Sequence, residues 1–344
     1  MQEISLNIVK WYQQNKTDLP WRIDKNPYHV WISEIMLQQT KIEAVKKYYT
    51  KFIEQLPTIQ SLAEVEEAKL LKLWEGLGYY NRARNLKITA QIIMEQYHGI
   101  FPTDYNTILT LKGIGEYTAG AISSICFQQP QAAVDGNVLR VYMRIKNCSD
   151  NVLEEKTKQK VKKELLAIMP ENSGDFNEGL MELGERICLP KQPLCHQCPL
   201  QKYCKSYQAN NQSNIPVRIK KLTKPQLQLT VFLLVRNKKI ALSYRDKQSL
   251  LKNLWEFPNV EQKLNLTKRK DWLLQHQLKG KEIATMTNKH VFTHKIWSMT
   301  GYVIEVTEEN QEFDWVSIAK AKKDYAIPTA FQPFLTFLEG VNHE

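Results

Sequence analysis

No uncharged apolar run in these 344 residues reaches the roughly 18 residues that a bilayer-spanning helix requires. The first sixteen residues carry Glu3, Lys10 and Lys16 and no continuous apolar stretch. A secretory leader is therefore not expected, and the chain is expected in the cytoplasm with no membrane partner. Cysteine is scarce: six residues are too few for a secreted disulfide scaffold. There is no low-complexity tract and no repeat of fixed period, which excludes collagen-like and solenoid chains. Acidic residues are outnumbered, with 36 Asp and Glu against 47 Lys and Arg, a net charge of +11. An excess of that size implies a polyanionic partner without naming it. The rest of the composition is that of a globular protein, 43% hydrophobic and 24% charged, and the length fits two domains.

Up to about residue 205 the apolar spacing of three and four predicts helices over 3–14, 28–55, 81–97, 116–127, 136–145, 154–169 and 176–187. Residues 208–225 are polar and rich in Asn, Lys and Pro, the composition of a linker. The segment 201–224 holds six Lys or Arg and no acid. Beyond it the period changes. Strands are expected over 227–236 and 240–245, joined by Asn237-Lys238-Lys239, and again over 296–306 and 313–316. The chain then divides into a helical domain 1–207, a linker 208–225 and a mixed domain 226–344. Both sides of residue 224 are basic, +7 before it and +4 after it, so both are expected to touch the same polyanion.

Cys188, Cys195, Cys198 and Cys204 are spaced C-x6-C-x2-C-x5-C. Four thiolates this close can enclose one metal centre. Zinc sites usually use two CxxC knuckles, and only one is present here; the unequal gaps suit a wider [4Fe–4S] cube. Spacing alone leaves the metal open. Gly113 and Gly115 lie between two helical stretches, where backbone N–H groups at a helix start can receive a phosphate; a plain helix–helix turn has the same residues. Glu34 lies in an apolar helical run. Desolvation there would keep a carboxyl protonated and fit it for general-acid work, although a solvated helix residue reads equally well. Asp135 precedes Gly136, the pattern of a helix cap or turn.

The cysteine run after the helix ending Met181-Glu182-Leu183-Gly184, together with Leu111-Lys112-Gly113-Ile114-Gly115, resembles the endonuclease III superfamily of DNA glycosylases. Further strings are similar to its adenine-removing branch: Leu19-Pro20-Trp21-Arg22, Val30–Thr40, Trp74-Glu75-Gly76-Leu77-Gly78-Tyr79-Tyr80 and Val134-Asp135-Gly136-Asn137. The resemblance implies a mainly α helix-hairpin-helix glycosylase domain (hairpin element 109–124, iron–sulfur loop 188–204) followed by an α+β Nudix-like domain. It implies a base excision repair enzyme that hydrolyses the glycosidic bond of adenine opposite 8-oxoguanine or guanine in double-stranded DNA. Glu34 would protonate the base and Asp135 would stabilise the cationic sugar, with Asn137 orienting them. Trp21, Arg22, Leu37 and Glu178 would form the adenine pocket. Gln39 and Tyr79, with Leu77 and Gly78 beside them, would enter the duplex. Gly113 and Gly115 would grip the backbone, and Cys188, Cys195, Cys198 and Cys204 would hold a [4Fe–4S] cluster.

Where a lyase of this superfamily carries a Schiff-base lysine, this chain has Tyr117, so a monofunctional enzyme leaving an abasic site is expected. Leu254-Trp255-Glu256-Phe257-Pro258 resembles Nudix domains, but residues 259–280 hold only Glu261 and Asp271 as acids, too few for the Mg²⁺-binding helix. No catalytic Mg²⁺ and no NAD are expected. Phe292-Thr293-His294 resembles the loop that reads 8-oxoguanine, with threonine where the family has serine. A monomer is expected. The rival readings are a bifunctional pyrimidine glycosylase/lyase, a non-catalytic iron–sulfur DNA-binding protein and a zinc-binding architectural protein.

Overall fold

The computed structural model describes residues 2–219, 224–245 and 251–341. Part of the expected linker (220–223) lies outside the described residues. The Cα packing gives two compact units, Met1–Val65 with Arg84–Lys221, and Glu66–Ala83 with Leu222–Glu344. The first unit is helical and the second contains a mixed sheet, as the resemblance implies. Residues 66–83 depart from the expected division, in which they belong to the helical domain.

The first unit contains α1 (Gln2–Asn15), α2 (Pro27–Leu37), α3 (Ile42–Gln55) and α4 (Ile59–Glu64). The chain next passes through α5 (Glu67–Leu73), which packs with the second unit. It continues with α6 (Asn81–Tyr97), α7 (Tyr105–Thr110), α8 (Glu116–Phe127), α9 (Gly136–Lys146), α10 (Glu155–Leu166), α11 (Ser173–Arg186) and α12 (Lys205–Gln208). The expected run 28–55 is two helices, because Gln39 takes a left-handed φ of 60° and ends the first. Helix α11 touches α1, α8 and α9, and α2 packs on α8. The approach of α11 to α9 depends on Gly184, where an added Cβ would stand 2.6 Å from the Asn137 Cβ.

The first part of the expected linker is docked on this unit. Ile215 is buried, Arg144 Nε donates to its carbonyl (2.8 Å), and Val152 N donates to Val217 O (3.1 Å).

In the second unit, β1 (Gln226–Arg236) and β2 (Lys239–Tyr244) form the expected hairpin, with Asn237 and Lys238 both at positive φ. Then follow β3 (Trp255–Glu256), β4 (Asn259–Val260), α13 (Leu266–Gln275), β5 (Gly280–Val291), β6 (Ile296–Val306), β7 (Asp314–Ser317), α14 (Ile318–Asp324) and α15 (Gln332–Val341). The strand order is β3-β2-β1-β6-β5, with β4 on β1 and β7 on β2; β1 and β6 run parallel. Residues 66–83 join this unit through polar contacts. Ile327 N donates to Glu75 Oε1 (2.8 Å), and Lys72 Nζ donates to Tyr325 O (2.9 Å). Among the described residues no helix is long and apolar enough to cross a membrane.

Candidate active site

Four elements of the first unit converge on one set of side chains: α2, the start of α8, the start of α9, and α11. Asn26 caps α2, accepting from Tyr28 N (2.9 Å), and Pro27 fits the first helical position. The helix is buried along most of its length, so Glu34 is carried inside with it and is 6% exposed. The Tyr117 hydroxyl, from the first turn of α8, is hydrogen-bonded to Glu34 and lies 3.4 Å from Met181 Sδ of α11. The other Glu34 oxygen, Oε2, is buried without a partner. Burial therefore pushes this carboxyl up to about 7, and the nearby charges of Glu178 and Asp135 add to the rise. Tyr117 itself is pushed well above the ordinary phenol range by burial and by Glu34.

Asp135 is the cap of α9 and accepts from Val138 N (2.7 Å) and from Asn137 Nδ2 (2.9 Å). Burial still moves its carboxyl upward; the bonds from Val138 and Asn137 and the charge of Arg140 oppose that rise without cancelling it. Cap and candidate acid are thus one residue. Asn137 is fixed in turn by Arg140, whose Nη2 donates to Asn137 Oδ1 (2.8 Å) and to Gly184 O (2.6 Å), while its Nε donates to Cys188 O (2.7 Å).

The expected pocket residues are gathered around Arg22. It pairs with Glu178 (2.9 Å) and Glu182 (2.6 Å) and covers the Tyr12 ring. Trp21 is buried edge-on to Tyr49, with ring centroids 5.4 Å apart. Glu178 is pushed upward by burial, against the charge of Arg22 and a hydrogen bond from Tyr12. Leu37 ends α2, half-buried, and Gln39 follows it on the exposed bend. Sequence reasoning did not single out Tyr12, Glu182, Arg140 or Arg144. Their signal was weak: each sits at an ordinary position of an amphipathic helix, where charged and aromatic residues read as surface.

The turn between α7 and α8 places Gly113 at φ 80°, where a Cβ would meet the Asn85 side chain at 2.7 Å, and Gly115 just before α8. Thr89 Oγ1 donates to Lys112 O (2.7 Å), which holds the turn against α6.

Cys188, Cys195, Cys198 and Cys204 lie within electrostatic reach of one another. Burial and the neighbouring thiols push Cys195, Cys198 and Cys204 upward, so thiolates at these positions call for a cationic centre among them. The surroundings supply donors to anionic sulfur. The Leu200 N–H meets Cys198, the Ser206 and Tyr207 N–H groups meet Cys204, and Arg144 Nη1 lies 3.3 Å from Cys188 Sγ. Among the described residues no three His, Cys, Asp or Glu side chains converge as a single metal ion would require.

In the second unit, Leu77 is buried, while Gly78 (φ 68°) and Tyr79 (φ 49°) form a left-handed turn that leaves Tyr79 about half exposed. Trp74 Nε1 and Arg82 Nη2 both donate to Gly78 O. The Tyr79 hydroxyl is 2.6 Å from Thr293 Oγ1, which joins two residues singled out separately in the sequence. The 292–295 turn between β5 and β6 is closed by Phe292 N donating to Lys295 O (2.8 Å). Phe292 packs on His290 and Trp297, and His294 is exposed.

Residues 32–171 match the HhH-GPD superfamily of base excision DNA repair proteins, and residues 230–337 match the NUDIX domain family. An adenine DNA glycosylase of Buchnera aphidicola subsp. Acyrthosiphon pisum is 35% identical over 338 residues, 95% of each chain. The adenine DNA glycosylase of Homo sapiens is 39% identical over 61% of this chain and 40% of its own. Among solved structures, a thermostable thymine-DNA glycosylase superposes with a TM-score of 0.54 at 28% identity, over 60% of this chain and 97% of its own. An endonuclease III–DNA complex superposes with a TM-score of 0.52 at 24% identity, over 61% and 97%, a likeness of fold.

Proposed function

The chain belongs to the adenine DNA glycosylases, enzymes of base excision repair, and from that premise we propose that it hydrolyses the glycosidic bond of adenine paired with 8-oxoguanine or guanine in duplex DNA. The observation that carries the reading is Glu34: a buried carboxyl with one oxygen unpaired and its ionisation pushed up to about 7. Such a group holds a proton near neutral pH and has a free oxygen with which to deliver it to the departing base. As the bond lengthens the sugar becomes cationic, and an ionised Asp135, oriented by Asn137 and Val138 N, opposes that charge. Once the base has left, the ionised Glu34 assists entry of water. Arg22, Trp21, Glu178 and Leu37 form the base pocket, and the base is first flipped from the stack.

The reaction stops at the abasic site. A tyrosine hydroxyl pushed far above its ordinary range offers no amine for a Schiff base, so Tyr117 orients Glu34 and forms no covalent link. Cys188, Cys195, Cys198 and Cys204 would hold a [4Fe–4S] cluster; the N–H and Arg144 contacts to Cys188, Cys198 and Cys204 suit anionic sulfurs. In the second unit Thr293, His294 and Phe292 read the oxidised purine and Tyr79 enters the duplex, as does Gln39 of the first unit. The Tyr79–Thr293 hydrogen bond favours a shared role for these two residues.

The decisive experiment offers duplexes with adenine opposite 8-oxoguanine, guanine, cytosine or thymine, followed by alkali. Cleavage at adenine chiefly opposite 8-oxoguanine or guanine is expected, and only after alkali. Strand nicking without alkali, trapped stoichiometrically by borohydride, would overturn the monofunctional assignment.

A further inference from the structure

Arg218 lies in the stretch that composition marks as linker, yet it is held against the start of α9. Ile215 is buried and Val217 packs against the same core, so the segment is anchored on both sides of its exposed faces. Val152 N donates to Val217 O, Ile219 N donates to Asn151 Oδ1 (3.2 Å), and Arg144 Nε donates to Ile215 O. From this base the Arg218 guanidinium reaches back to the first turn of α9. Its Nη2 is 3.9 Å from where a Gly136 Cβ would stand, and its charge is felt by Arg140. Among the described residues no ion pair joins Arg218 to a carboxylate, and the Asp135 oxygens accept from Val138 N and Asn137 Nδ2.

An exposed cation against the first turn of α9, where Arg140 already acts on Asp135, is out of place for the chemistry by itself. Excision builds positive charge on the sugar, and a second positive charge nearby opposes it unless an anion enters with the substrate. In DNA that anion is a phosphodiester. We propose that Arg218 binds a backbone phosphate flanking the excised nucleotide, which fixes the sugar against Asp135 and neutralises the guanidinium in the same contact. The inference rests on the reading of Glu34 and Asp135 as the excision centre, but its test is a binding measurement.

The full-length protein is titrated, over a range of salt, with a duplex carrying a tetrahydrofuran abasic analogue opposite 8-oxoguanine. Arg218→Ala is expected to weaken binding about five- to tenfold and to lower the log–log salt slope by about 0.9, one phosphate contact. Arg218→Lys should keep the slope. Single methylphosphonates placed on either side of the analogue should include one at which Arg218→Ala costs nothing further. Unchanged affinity and slope in Arg218→Ala, or additive losses at every flanking phosphate, would overturn the proposal. Failure of the unsubstituted protein to excise adenine would instead count against the function assigned above, leaving the phosphate contact to stand or fall on these titrations.

Discussion

Two carboxyl groups lie within electrostatic reach of one another and are held in opposite ways. Glu34 comes from the interior of an apolar helix and leaves one oxygen without a partner. Asp135 stands at a helix start, with a backbone N–H and an amide bound to it. Burial pushes both upward; at Asp135 the bonds from Val138 and Asn137 oppose that rise, whereas Glu34, with one oxygen unpaired, reaches about 7. Desolvation is thus common to the pair; the supply of donors differs between them, in the sense that the proposed proton carrier and the proposed standing charge require.

The comparison breaks most visibly at Glu34. Glu34→Gln is expected to lower single-turnover adenine excision on the order of a thousandfold, the range of a lost general acid. Its stability should change in the other sense. A carboxyl raised above its unfolded value stabilises the fold fully below pH 4.5, and that contribution is lost as pH rises through about 7. By pH 8 the wild type therefore bears roughly 3 kcal/mol that the glutamine variant does not. Urea unfolding at pH 5 and pH 8 should show the variant gaining relative stability at the higher pH; equal differences at both would mean that Glu34 ionises freely. The wild-type excision rate should likewise fall as pH rises through 7.

Asp135→Asn tests the other member. The amide oxygen still accepts from Val138 N, so the cap survives while the charge is removed. A loss of about a hundredfold in excision is expected, with a modest fall in melting temperature, since the new amide N–H faces Asn137 Nδ2. A variant that melts far earlier would show that residue 135 matters chiefly as a cap.

The smallest effect lies outside the pair. Thr293→Val removes the hydroxyl that meets Tyr79 and is expected to reduce the preference for 8-oxoguanine over guanine by about fivefold, near 1 kcal/mol, with the excision step untouched. Rates on the two mispairs under single-turnover conditions would measure it. An unchanged ratio would remove Thr293 from lesion reading.

Much of the helical unit was legible because its signals are local. A three-to-four apolar spacing, Gly113 and Gly115 at a turn, and unevenly spaced cysteines each reflect a constraint within a few residues. What escaped depends on distant partners. Strand β5 was missed because its sequence, Gly280–Val291, is largely polar and only half-buried at a sheet edge, so neither a hydrophobic run nor a sharp alternation marks it. Residues 214–219 have a linker's composition, yet Arg144 and Asn151 supply the bonds that fix them. Arg140 and Arg144 look like surface cations on an amphipathic helix, and only the carbonyls of Gly184, Cys188 and Leu189 make them buried braces. Within the candidate site, residue type and neighbourhood left Glu34 and Asp135 open, and the resemblance singled them out; that each feels the other's charge follows from the packing of α2, α8, α9 and α11.

Gly184 carries a lesson for anyone engineering a sturdier version of this enzyme. A glycine inside a helix is the conventional first target, since alanine there gains about 1 kcal/mol of helix propensity. Here the missing methyl is the space that Asn137 occupies, 2.6 Å away. Filling it would push the first turn of α9 aside and carry Asp135 with it. A thermostability screen blind to turnover would retain such a substitution if the helix gain prevailed, and would return a firmer protein with a displaced carboxylate.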